Sequence, residues 1–121
     1  MNERMICIPL PAVYPGAAAA LGNDYAYMVF PFDITVVAVS VAPDVNDADL
    51  TLTIEDDTVA VVGPIDCAVA ATPGTWESTH VGGANTPVVI AKDSKISLTA
   101  TLAANATQIV GHILALTHEN A

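Results

Sequence analysis

Two stretches of this 121-residue chain alternate between apolar and hydroxyl-bearing or acidic side chains. They are Leu50-Thr51-Leu52-Thr53-Ile54-Glu55 and Ile96-Ser97-Leu98-Thr99-Ala100-Thr101-Leu102. A period of two sends every second side chain to the same face of a pleated strand. Each stretch therefore predicts a strand with one face in a core and the other toward water. The composition agrees: 15 valines and 12 threonines stand against three basic residues, Arg4, Lys92 and Lys95. Valine and threonine are stiff at χ1 and pack well on a pleated surface.

The rest of the chain reads as strand, turn, strand. Tyr25 to Phe30 is a candidate strand closed by Pro31. Ile34 to Val41 is a nearly continuous apolar, largely β-branched run closed by Pro43, suited to burial on both faces. Asp56-Asp57 predicts a tight turn joining the strand at Leu50 to another at Thr58 to Val62, a hairpin. Thr75 to Val81 and Val88 to Ala91 are shorter candidates separated by Gly82-Gly83, and Ile109 to Thr117 follows a turn at Asn105. About eight strands at short spacing, with no long helical pattern, predict an all-β protein. The expected form is an antiparallel β-sandwich, jelly-roll-like.

Charge narrows the partners. Thirteen acids against three bases give a formal net charge of −10, and only 13% of residues are charged, about half the usual share of ~25%. Phosphate-backbone recognition needs clustered Lys and Arg, as does binding to anionic membranes, so the sequence predicts neither nucleic acid nor membrane as a partner. A surface finished with Thr, Ser and Asn, with few long flexible charges, loses little side-chain entropy when another chain covers it.

Residues 1–22 read as an extended N-terminal arm, and 23–121 as one sandwich domain. Met5-Ile6-Cys7-Ile8 suits an edge strand, since Pro9 and Pro11 bar it from the middle of a sheet. Pro15-Gly16 marks a turn before a short helical turn at Ala17 to Ala20. The prolines also break any signal-peptide core, so the segment is expected to be mature structure. An extended arm suits strand addition to a neighbouring subunit.

Residues of the types that carry chemistry are scattered. Cys7 and Cys67 make no metal spacing; two buried thiols are expected, with one disulfide the arithmetic alternative. Asp44-Val45-Asn46-Asp47-Ala48-Asp49 places alternating oxygens as a Ca²⁺ loop would. The fifth and sixth positions of an EF-hand, however, are here Ala48 and Asp49, so a solvated acidic turn is expected. His112 and His118 lie six residues apart, too far along one strand to share an ion. Ser40, Ser78, Ser94 and Ser97 lack a nucleophile elbow, and Gly82-Gly83 lacks the Lys of a phosphate loop. The sequence predicts no enzyme, no cofactor and no metal.

What remains is contact surface. Trp76 is either a sugar-stacking or contact anchor, or a plug beneath a long loop. Tyr25 and Tyr27 share a strand face and either flank the core or line an interface. With Met5, Ile6, Ile8 and Tyr14 of the arm, these form the candidate interface.

Phe30-Pro31-Phe32-Asp33-Ile34-Thr35-Val36-Val37-Ala38-Val39-Ser40 is similar to a turn-and-strand of small β-sandwich proteins from tailed bacteriophage virions. Ile90-Ala91-Lys92-Asp93-Ser94-Lys95-Ile96-Ser97-Leu98 and the closing strand Ile109 to Leu116 extend the resemblance over about 30–116. It implies a non-catalytic structural virion protein: a capsid decoration (cement) protein on the head exterior, or a head or tail fibre domain. It also implies a homotrimer partnered by the major capsid protein. The residues themselves leave a carbohydrate- or receptor-binding module as the alternative, with a Ca²⁺-dependent adhesion module behind it.

Overall fold

The computed structural model describes residues 3–10, 25–101 and 105–118, with backbone alone for Glu3 and 25–27. Nine strands lie among them. They are β1 (Glu3–Pro9), β2 (Tyr25–Val29), β3 (Asp33–Pro43), β4 (Thr51–Asp56), β5 (Val59–Asp66), β6 (Gly74–Glu77), β7 (Val88–Ile90), β8 (Lys95–Ala100) and β9 (Ile109–His118). One sheet runs β1-β9-β3-β6, with β7 also paired to β3; the other runs β2-β8-β4-β5. Every pairing between these strands is antiparallel. The protein is an all-β antiparallel sandwich.

The alternating stretches supply the core as their period requires. Leu52 and Ile54 of β4 and Ile96 and Leu98 of β8 are buried, and they join Ile34, Val36, Val39 and Val41 of β3 and Ile109, Ile113 and Ala115 of β9. The β4–β5 hairpin forms as expected. Its turn falls at Asp57-Thr58, where Asp57 takes a positive φ of 56° and binds Lys95 through both its own N–H and its carboxylate.

Three expectations are corrected. The first strand of the expected arm lies in the chain's own sheet: β1 pairs with β9 from Glu3↔His118 to Pro9↔His112. The edge position suits Pro9, and burial of Ile8 and Leu10 joins the strand to the common core. The run at Ile34 is buried on one face for most of its length, because β3 alternates and its outward positions are half-buried. The extra buried residue is Val37, at a register shift between Val36 and Ala38, where its carbonyl accepts the Ser78 N–H. The candidate strand at Thr75 stops at Glu77, and Thr79–Val81 turn as a short 3-10 helix with the Ser78 hydroxyl accepting the His80 N–H. Pro15-Gly16, Ala17 to Ala20 and Leu102 lie outside the described residues.

Candidate interaction surface

Strand register places the outward side chains of the five-stranded sheet in rows. Met5, Leu116, Thr35 and Val89 form one row across β1, β9, β3 and β7. Cys7, Leu114, Ala38 and the exposed Glu77 form the next, followed by Pro9, His112, Ser40 and Thr75. Val110 beside Ala42 ends the series. The outer face of an antiparallel sheet is ordinarily its polar face. Here Met5 is 47% exposed, Val89 59% and Val110 44%, while Leu114 and Leu116 are half-buried. A contiguous apolar face left toward solvent commonly marks a contact surface.

Glu77 stands exposed on this face, whereas the described aspartates gather at the two ends of the sandwich. One end holds Asp33, Asp56, Asp57 and Asp93 with Lys92 and Lys95, tied together by the Lys92 N–H on the Asp33 carboxylate and the Asp93 N–H on the Phe30 carbonyl. The other holds Asp44, Asp47, Asp49 and Asp66, and here the expectation of a solvated acidic turn is corrected. Asp47 is buried, and its Oδ2 accepts the N–H groups of Asn105 and Ala106 at 2.8 and 3.1 Å. Asp44 Oδ1 accepts those of Thr107 and Gln108 at 2.9 and 3.2 Å, and its Oδ2 accepts the Thr107 hydroxyl. Four consecutive backbone donors thus end on two carboxylates. The Thr107 hydroxyl and N–H hold the Asp44 carboxyl down to about 2 against the opposing effect of desolvation, with the Gln108 N–H adding to the lowering. These carboxylates clamp the β8–β9 connection.

Catalytic arrangements are poorly served. Cys67 is buried, its Sγ 3.5 Å from the Leu50 carbonyl. Burial first, then the Asp66 and Asp47 charges, push its thiol up to about 11, which keeps it protonated and weakly nucleophilic. Cys7 is exposed, a correction to the expected pair of buried thiols, and both are free. His112 and His118 sit on the outward face at opposite ends of the β1–β9 register, and His118 Nε2 lies 2.7 Å from the Thr35 hydroxyl. Among the described residues, no three His, Cys, Asp or Glu side chains group as a metal site would need.

The expected interface residues divide. Met5 lies on the outward face, whereas Ile8 is buried and Ile6 packs against the core, so these two face inward. Trp76 opposes the buried Val39 in the register and packs on the core at the sheet edge, half-buried. Tyr14 lies outside the described residues, as do the side chains of Tyr25 and Tyr27. Sequence reasoning missed Cys7, Leu114, Leu116, Val89 and Val110 as surface. The parity of Leu114 and Leu116 with the two histidines was the available signal.

No protein-family model and no curated protein sequence matches the chain. The fold is nonetheless a known one. A chain of the solved "Cyanophage Pam1 capsid asymmetric unit" superposes with a TM-score of 0.58 at 14% identity, over 96% of this chain and 84% of that one.

Proposed function

We propose that this chain is a non-catalytic structural protein of a bacteriophage virion, a capsid decoration (cement) protein held on the head exterior by the major capsid protein. The observation that carries the reading is the likeness in fold to a chain of a phage capsid asymmetric unit, over 96% of this chain and 84% of that one. Strand order supports a jelly-roll reading of the sandwich: β1-β9-β3-β6 faces β2-β8-β4-β5, interleaving strands distant in sequence. An outward sheet face that leaves Met5, Val89 and Val110 open to solvent suits a protein that works by contact. The copies form a homo-oligomer, for which the phage resemblance implies a trimer. Trp76 packs against the core and so favours the structural reading over the sugar-binding one.

The test is antibody labelling of intact phage particles whose genome encodes the chain, viewed by electron microscopy. Gold on the head surface is expected, together with rebinding of purified protein to stripped heads. Gold on the tail alone, or particles without the chain, would overturn the reading.

A further inference from the structure

We propose that the open edge of β1 is a binding site for an extended segment of a partner protein, which adds to the five-stranded sheet as an antiparallel strand. The proposal goes beyond the virion reading and does not depend on it.

Backbone parity makes the site. β1 is the end strand of its sheet and pairs with β9 on one side. The Leu10 N–H donates to the Gly111 carbonyl at 2.9 Å, which fixes the alternation along the pair. Arg4, Ile6 and Ile8 therefore exchange hydrogen bonds with β9, while the N–H and carbonyl groups of Met5 and Cys7 point off the sheet. Pro9, with no N–H to give, falls in this second set. A row of such groups is a template for another extended backbone, whose donors and acceptors repeat at the same spacing.

The other edges are blunted in the ways that sheets ordinarily use. β2 carries a register shift between Ala26 and Met28. β5 has two shifts against β4 and contains Pro64, and β6 runs so close to it that a Cβ on Gly74 would meet the Asp66 carbonyl oxygen. β6 and β7 are four and three residues long. β1 instead keeps seven pairs in unbroken register, with Glu3 and Arg4 at one end and Pro9 at the other. Between these ends Met5 and Cys7 are exposed. Of the described edges, this is the one built for pairing.

Register also states the chemistry of the partner. Residues opposite Met5 and Cys7 continue the rows of Leu116 and Leu114, so apolar side chains are favoured there. The residue opposite Glu3 enters a row that runs through His118 to Asp33, which favours Lys or Arg. An acidic segment, or a second copy with its own −10, meets repulsion instead.

Hydrogen exchange followed by NMR on the full chain reads the edge directly. In dilute protein the Met5 and Cys7 amides are expected to exchange fast, and the Ile6 and Ile8 amides, bonded to β9, slowly. The probe is the peptide acetyl-Thr-Thr-Val-Thr-Val-Thr-Lys-amide. In antiparallel register its valines oppose Cys7 and Met5 and its lysine opposes Glu3. With peptide tenfold above its dissociation constant, the Met5 and Cys7 amides should exchange about tenfold more slowly. N-methylation of both valines removes the donors that face β1 and should abolish the effect. N-methylation of the threonine between them, whose N–H faces away, should leave it intact.

Equal protection by the valine-methylated peptide would overturn the proposal, since binding would not run through the backbone. So would fast exchange persisting at about 10 mM peptide, ten times a millimolar dissociation constant. Slow exchange of Met5 and Cys7 without peptide would overturn it too. Unchanged by dilution, it would show cover from the same chain; deepening with protein concentration, it would show a second copy on the edge. Particle labelling reads the virion role separately, so either idea can fail while the other stands.

Discussion

Asp47 and Asn105 are 58 residues apart in the chain, and the Asp47 carboxylate accepts the Asn105 N–H at 2.8 Å. With Ala106 on the same oxygen and Thr107 and Gln108 on Asp44, the β3–β4 loop anchors the entry to β9. A buried carboxylate with backbone donors differs physically from a solvated one, because removing its charge leaves those donors facing a poorer acceptor.

Asp47→Asn is accordingly expected to lower stability by about 1–3 kcal/mol in urea unfolding, the range for disturbing a buried charged hydrogen bond. Asp49→Asn, at an exposed position, should stay within about 0.5 kcal/mol of the parent. Equal midpoints for the two variants would restore the solvated turn.

Acid should loosen the same clamp. Asp44 is lowered from 3.8 to about 2. Its contribution to stability is therefore complete above the unfolded carboxylate's range and is lost as pH falls from 3.8 toward 2. Thermal unfolding followed across that window should show a steeper fall for the parent than for Asp44→Asn. Parallel curves would mean that the Thr107 contacts do not favour the charged form.

At the alkaline end the sign reverses. The Cys67 thiol is raised from 9.0 to about 11, so the unfolded chain releases this proton first and stability declines as pH rises between those values. Cys67→Ala should flatten that decline, measured by the change in melting temperature with pH.

Removing residues 1–10 tests whether β1 belongs to the core. The deletion strips Ile8 and Leu10 from the interior and leaves one side of β9 without its partner. Two buried aliphatic side chains alone account for roughly 3–6 kcal/mol, a large share of a typical domain stability of about 5–15 kcal/mol. A truncated chain with an unchanged melting temperature would show that β1 is a detachable strap.

Gly111→Ala probes the closeness of β9 to β3. A Cβ there would fall 2.0 Å from the Ser40 carbonyl oxygen, a backbone atom that cannot swing aside. The expected cost is about 3 kcal/mol, the upper end for overpacking, read from the urea midpoint. A neutral substitution would mean that the two strands part easily at this point.

Much of this architecture was legible in the chain. The strict alternation at Leu52 and Ile54 and at Ile96 and Leu98 marked inward positions, and those residues are buried. Asp56-Asp57 marked the hairpin within a residue. At Thr75 to Val81 local propensity misled, because Ser78 turns the chain by capping His80 and by donating its N–H to Val37. Parity showed that Leu114 and Leu116 share a face with His112 and His118, but not that this face is the outer one.

The sequence by itself determined strand, turn and parity, since period and turn chemistry act over a few residues. It also determined the excess of acid. Tertiary structure alone decided that Met5 and Cys7 stand beside Leu116 and Leu114, that β1 lies in the chain's own sheet, and that Asp47 is buried as a clamp. Each depends on residues more than fifty positions apart meeting in space. Such long-range pairing follows from packing of the whole sandwich, which no local pattern encodes.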